Sequence, residues 1–218
     1  MLFDLAALSA ENGYKLMTAT IVPRPIAWIT SLDRDGRLNA APFSFFNALC
    51  GDPPIVGLGI GGLRAGAPAG SWKDSAANIR ATGQFVVNLV PYDARAAMNV
   101  TAIEFPPDVD ELAEAGLTTA PSVKVRPPRI AESPVALECE RFVMLDVTAD
   151  RAIVLGRILA IHVQDEAVLD AARCHIDTPK LDLIGRMHGG GWYSRITDRF
   201  EMPRISVDQW TRRGSQEL

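Results

Sequence analysis

Short runs of β-favouring residues, punctuated by turn signals, constrain the fold of this 218-residue chain more than any other feature. Residues 17–32 are rich in Thr, Ile, Val and Trp, but Pro23-Arg24-Pro25 interrupts them. Proline has no N–H to give a sheet ladder. The stretch therefore reads as an extended edge segment that kinks and becomes a true strand over residues 26–31. Asp33-Arg34-Asp35-Gly36 has the D-G signature of a hairpin, with residues 38–43 as the return strand. Ser44-Phe45-Phe46-Asn47 then leads into a turn at Asp52-Pro53-Pro54, and residues 55–60 read as a strand buried on both faces. Residues 84–90 form a fourth strand, and residues 135–148 and 153–163 alternate as a long hairpin turning at Asp150-Arg151. Residues 192–196 and 199–202 are short extended pieces.

Helical signals are fewer. Residues 1–15 are a lead-in with a short helix ending near Gly13. Asp74 or Ser75 caps a helix running to Arg80, with Gly83 as its stop. Two weak patterns lie within residues 92–116, the second over residues 108–115. Thr178-Pro179 starts a helix that reaches about Met187 before Gly189-Gly190-Gly191. Residues 204–218 are a polar tail. Hairpin-linked strands with few helices between them argue against a doubly wound parallel sheet. They predict an all-β dominated fold, an antiparallel barrel with helical insertions, in one domain over residues 1–218.

Composition narrows the function classes. Charged residues make up 22% and the net charge is −4, so no general basic face is offered to nucleic acid. The longest stretch without a formal charge is the 14 residues from Leu38 to Gly51, too short to span a membrane. No basic segment precedes an apolar core at Met1-Leu2-Phe3-Asp4, and a cytoplasmic location is expected. Cys50, Cys139 and Cys174 are odd in number and far apart, as suits reduced thiols rather than a disulfide framework. His162, His175 and His188 stand 13 residues apart, which is not metal-ligand spacing, and no metal is expected.

Gly57, Gly59 and Gly62 spell G-x-G-x-x-G after a strand, the form of a dinucleotide fingerprint. The context fails, because residues 63–72 hold two further glycines and a proline where a helix must open. Residues 61–72 read instead as a flexible loop of small residues. A better anion candidate is Gly70-Ser71-Trp72-Lys73-Asp74-Ser75, where backbone N–H groups at a helix start join Lys73 and two hydroxyls. A plain capped helix with Lys73 in solvent is the alternative on local residues alone. Thr30-Ser31 and Ser44-Phe45-Phe46-Asn47 end neighbouring strands, and small hydroxyls beside aromatics suit a flat, hydrogen-bonding heterocycle. Arg24, held between two prolines, either presents a fixed cation or sits at a surface bend. His188 precedes three glycines and Trp192-Tyr193, where a loop can approach a ligand closely.

Taken in order, these segments resemble a known family. Tyr14, Val22-Pro23-Arg24-Pro25-Ile26-Ala27, Asp35-Gly36, Asn39-Ala40-Ala41-Pro42-Phe43-Ser44-Phe45-Phe46-Asn47, Asp52-Pro53-Pro54, Lys73-Asp74-Ser75 with Asn78, and Phe85-Val86-Val87-Asn88 are similar to the flavin reductase-like family of FMN-binding split barrels. His188-Gly189-Gly190 and Tyr193 resemble its closing segment. The resemblance implies a Greek-key split β-barrel and a homodimer with FMN, rather than FAD, near the subunit interface. It places Thr30 and Ser31 by the flavin, and Ser44, Phe45 and Asn47 by the ring and ribityl chain. It places Lys73 and Ser75 at the phosphate, with Ser71 and Asn78 nearby and Arg24 as a further phosphate or nicotinamide contact. The implied activity is flavin reduction by NADH or NADPH, with hydride delivered to flavin N5 and His188 positioning the nicotinamide. An oxygenase or another acceptor then takes the electrons. A flavoredoxin-like electron carrier without a nicotinamide site and a non-catalytic flavin-binding module are the rival readings.

Overall fold

The computed structural model describes residues 1–61, 71–106 and 109–214. The loop expected over residues 61–72 lies almost wholly outside them, as does Gly62 of the G-x-G-x-x-G string. The elements, in chain order, are α1 (Ala10–Thr20), β1 (Arg24–Pro25), β2 (Ala27–Leu32), β3 (Leu38–Phe43), β4 (Phe46–Gly51), β5 (Pro54–Gly61), α2 (Asp74–Thr82) and β6 (Gln84–Leu89). There follow α3 (Arg95–Val100), α4 (Glu111–Glu114), β7 (Thr119–Ala120), β8 (Arg129–Ile130), β9 (Val135–Thr148) and β10 (Arg151–Val163). The last are β11 (Val168–Asp170), β12 (His175–Ile176), β13 (Ile184–Met187), β14 (Trp192–Arg195) and α5 (Val207–Gly214).

Seven strands build one antiparallel sheet in the order β3-β2-β6-β9-β10-β5-β4. Its two edges, β3 and β4, are consecutive in the chain and joined only by Ser44 and Phe45. Laid flat, edges six strand spacings apart stand about 29 Å from each other. Two linking residues reach only about 11 Å. The sheet must therefore curl until its edges meet at that bend, just where the Phe45 carbonyl extends the β4–β5 ladder by accepting a 2.7 Å hydrogen bond from Gly59 N–H. The result is a Greek-key split β-barrel. A smaller sheet, β1-β13-β14, stands beside it, with Arg24 opposite Arg186.

Side chains alternate across the barrel wall as the pleat requires. Ala27 and Ile29 of β2 join Val56, Leu58, Phe85, Val87, Leu137 and Val154 in the interior, with Ile79 of α2 packed on them. Trp28, between them in sequence, faces an outer cluster of Ile26, Ala40, Val90, Met98, Leu112 and Ile130. Its indole N–H donates 2.8 Å to Thr101 Oγ1, so the buried ring leaves no orphan donor.

The hairpins fall where turn chemistry puts them: β2–β3 around Gly36 (φ 87°), and the long β9–β10 pair. Several expectations need correction. The first helix does not stop near Gly13 but continues to Thr20. Ser9 Oγ caps its start, and Arg24 donates to the Thr18 and Ile21 carbonyls at its end (2.7 and 2.8 Å), a cap supplied from outside the helix. Residues 46–51, read as a lead into a turn, form β4, paired to β5. The helix expected from Thr178 to Met187 shrinks to a 3-10 turn over Thr178–Leu181; Ile184–Met187 is a strand because β1 and β14 offer it ladders on both sides. The polar tail carries α5, started by a capping box in which Ser206 Oγ accepts from Gln209 N–H and Gln209 Oε1 from Ser206 N–H.

Candidate functional site

The phosphate expectation rests on the start of α2. Lys73, rather than Asp74 or Ser75, occupies the N-cap, and its own side chain makes no capping hydrogen bond. The helix terminus opens onto a cleft of about 290 Å³ walled by Phe43, Ser71, Trp72, Lys73, Thr101 and Ile103, among others. The positive end of the helix and the Lys73 ammonium favour an anion at this wall. Glu104 Oε1 stands 3.7 Å from Lys73 Nζ. Glu111 also lines the cleft; burial pushes its pKa up, backbone N–H groups at Glu111 and Ala40 pull it down, and nearby Asp74 and Asp110 add to the rise, which prevails. A phosphate entering here loosens an exposed Lys–Glu pair worth about 0–1 kcal/mol. The lining therefore fits a phosphorylated, flat-ringed group: the helix start and Lys73 at one end, Phe43 and Trp72 along the side.

Ser75, the second residue of α2, is buried. With the Asn39 amide oriented to satisfy both its ends, the Ser75 hydroxyl donates 2.9 Å to Asn39 Oδ1 and the amide N–H₂ faces Glu111 (3.3 Å). Thr30, Ser31 and Asn78 are similarly engaged inside the wall. Thr30 Oγ1 donates 2.6 Å to the Pro128 carbonyl, and Asn78 Nδ2 donates 3.1 Å to Ser31 Oγ. Asn88 completes this network, donating to the Trp28 carbonyl and accepting from Ile130 N–H, each at 2.9 Å. Thr30 and Ser31 have 0% exposure, so the structure places them beneath the site, where they tie strands and helix together rather than face a ligand.

The Ser44–Asn47 segment forms the bend at which the barrel closes, one residue beyond Phe43 of the cleft. Ser44 Oγ accepts a long 3.5 Å contact from Arg24 Nε. Phe45 stands edge-on to Tyr14, ring centroids 6.1 Å apart, and is 38% exposed. Asn47 is exposed on β4, its Oδ1 accepting from Ala48 N–H at 2.8 Å. Arg24 is no surface cation. It is 6% exposed and binds the carbonyls of Thr18, Ile21 and His188 (3.3 Å), locking α1 to the loop after β13. That loop carries His188 at φ 59°, with Nδ1 accepting from Gly190 N–H at 3.2 Å. His188, Gly189 and Gly190 form one wall of a second, mainly apolar pocket of about 700 Å³, opposite Phe3, Leu8, Tyr14 and Leu16.

Nothing local ties Glu104 and Glu111 to the start of α2, so neither shows itself in the sequence as part of this cleft. Gly57 and Gly59 belong to packing. A Cβ at Gly59 would stand 3.0 Å from Phe45 Cβ, and one at Gly57 would collide with Leu49, so β4 lies flat on β5 only over glycine.

Among the described residues, no helix is long and apolar enough to cross a membrane. Comparison with known proteins agrees with the geometry. The flavin reductase like domain matches residues 18–177. A protein of Deinococcus radiodurans is 42% identical over 212 residues, covering 95% of this chain and 91% of that one. Component B of nitrilotriacetate monooxygenase from Bacillus cereus superposes with a TM-score of 0.83 at 29% identity, covering 93% of this chain and 98% of that one. The 2-nitrobenzoate 2-nitroreductase NbaA of Pseudomonas fluorescens superposes with a TM-score of 0.85 at 30% identity, covering 95% and 98%. A split barrel with a lysine-bearing helix start beside an aromatic wall, matched over most of its length, belongs to the flavin reductase-like family.

Proposed function

We propose that this chain is an NAD(P)H-dependent flavin reductase that holds FMN, rather than FAD, at the α2 cleft. The observation that carries the reading is the start of α2 in one cleft with Lys73, Phe43 and Trp72. When bound, the flavin supplies hydride acceptance at N5 and onward electron delivery. The residues of the chain bind and orient. Lys73, Ser71 and the backbone N–H groups of α2 take the phosphate; Phe43 and Trp72 cover apolar ring surface. Ser44, Phe45 and Asn47, at the bend just beyond Phe43, would hold the ring and ribityl chain, and Arg24 ties that bend to α1. His188, with Tyr14 and Phe3, receives the nicotinamide in the apolar pocket. Hydride transfer moves no proton, so none of these groups need act as an acid or base.

A homodimer agrees with the apolar side chains that β9 and β10 leave exposed, Phe142, Leu145, Val147, Ile153 and Ile161. Likeness to the B component of a monooxygenase supports an oxygenase as electron acceptor. The test is the visible spectrum of the FMN-loaded protein under anaerobic NADH and NADPH. Bleaching within seconds by either nucleotide is the expected result. Bound flavin that neither nucleotide bleaches refutes the reductase and favours an electron carrier; failure to bind FMN refutes the site.

A further inference from the structure

The Gly189–Gly191 turn has a second side. Opposite the His188 pocket lies another cleft, of about 430 Å³, between α3 and the β13–β14 hairpin. Register puts Arg186 and Tyr193, and next to them Ile184 and Arg195, on one face of that hairpin. Tyr92 and Arg95 close it from the other side, and Gly191 lines its edge. The guanidiniums of Arg95 and Arg195 each lie 3.9 Å from the centroid of Tyr92, so the ring is sandwiched between two cations. Arg186 lies 4.6 Å over Tyr193 and donates to its hydroxyl.

The charges do not cancel. Arg195 is spent on Asp182, at 2.6 and 3.1 Å. Asp93 is the other acid close enough to influence Arg195. Arg95 donates to the Tyr92 carbonyl at 2.8 Å, and Arg186 to the Tyr193 hydroxyl and the Gly189 carbonyl. Among the described residues, neither has a carboxylate partner. Each guanidinium carries five N–H donors, so both keep donors free. Two stacked, pre-oriented guanidiniums without counter-charge, in a chain of net charge −4, form a receptor for a compact dianion.

We infer that this cleft binds a phosphate monoester on a nucleoside, of the kind that the 2′-phosphate of NADPH presents. The inference rests on the reading of the reductant as a nicotinamide nucleotide. Its physical basis is that one glycine turn separates the arginine cleft from the pocket at His188, so one extended dinucleotide can occupy both. Arg95 and Arg186 then select the phosphorylated nucleotide over NADH.

The test is calorimetric titration of the FMN-loaded full-length protein at low salt with 2′,5′-ADP and with the methyl ester of 5′-AMP, a diester that carries no monoester phosphate. It involves no electron transfer, so it succeeds or fails separately from the bleaching experiment. Binding of 2′,5′-ADP is expected to be tighter by about tenfold or more, a preference that Arg95→Gln with Arg186→Gln reduces to about twofold. Inorganic phosphate alone is expected to compete with 2′,5′-ADP in the wild type, and weaker binding of phosphate than of 2′,5′-ADP assigns the site to the nucleoside ester. Equal binding of the two nucleotides to the wild type overturns the inference without recourse to any variant. So does a preference that survives the arginine changes but disappears in Lys73→Ala, which would move the phosphate to the α2 cleft. Inorganic phosphate binding as tightly as 2′,5′-ADP overturns the nucleoside assignment.

Discussion

Replacing Glu138 by Gln tests how this barrel holds its long loop. The Glu138 side chain is fully buried on β9. Oε1 accepts from Val123 N–H at 2.8 Å and faces His162 Nε2 at 2.5 Å; Oε2 accepts from Lys124 and Val125 N–H at 2.5 and 3.2 Å. One carboxylate thus satisfies three backbone donors of the segment that crosses the outside of the sheet. Burial pushes its pKa up, but the hydrogen bonds from Val123, His162 and Lys124 outweigh burial and hold it below the usual value. Glutamine keeps one acceptor oxygen and turns an N–H₂ toward the other donors. In its better orientation the N–H₂ meets His162 and leaves Val123 N–H unpaired. One orphaned buried donor costs about 1–3 kcal/mol, and loss of the charged acceptor for the rest takes the expected total to about 2–3 kcal/mol. Glu138→Ala orphans all three donors and should cost about 3–5 kcal/mol. The sign with pH follows from the lowered pKa. The carboxylate's stabilisation is fully present above its unfolded value of about 4.3 and is lost as pH falls through the lower folded value. Urea unfolding at pH 7 and below pH 4 reads both effects, at unchanged m-value. A Gln variant within about 0.5 kcal/mol of wild type at pH 7, or a deficit that does not shrink in acid, would refute this reasoning.

Other perturbations read other parts of the structure. Gly156→Ala puts a methyl group onto the buried ring of Phe85 and Gly59→Ala one onto Phe45, so each should lose about 1–3 kcal/mol in denaturant unfolding. Trp28→Phe removes the donor to Thr101 and leaves a cavity beside Met98; a loss of about 2 kcal/mol is expected, and less than half of that would count against the buried hydrogen bond. Lys73→Ala should weaken FMN binding about tenfold or more and flatten its salt dependence, as followed by flavin fluorescence quenching; unchanged affinity would remove Lys73 from the phosphate site.

Much of the barrel was legible because its signals are local. The Asp33–Gly36 turn needs only its own four residues to reverse the chain, and β3 follows with the expected ends. The β9–β10 hairpin shows itself by alternation along both arms. Gly83, in the left-handed conformation at φ 73°, stops α2 as a glycine there should. Legibility ended where a residue's role depends on a distant partner. Thr30, Ser31 and Asn78 carry the groups a flavin contact needs, yet Pro128, Ser31 and Asn88 take up those groups inside the wall. Arg24 looked like a ligand contact because its flanking prolines stiffen it, whereas its donors cap a helix.

Turns, hairpins, the β-rich class and the lysine at the start of α2 can be read along the chain, because propensity and turn geometry act over a few residues. Folding of the whole chain settles which edges meet, through the two-residue bend at Ser44-Phe45, and makes Ile184–Met187 a strand rather than a helix. It also brought Glu104 and Glu111 to the Lys73 cleft, and set Arg95 from α3 against Arg186 from β13. Such pairings join residues up to 164 positions apart, and their energy appears only when the chain has closed the loops between them.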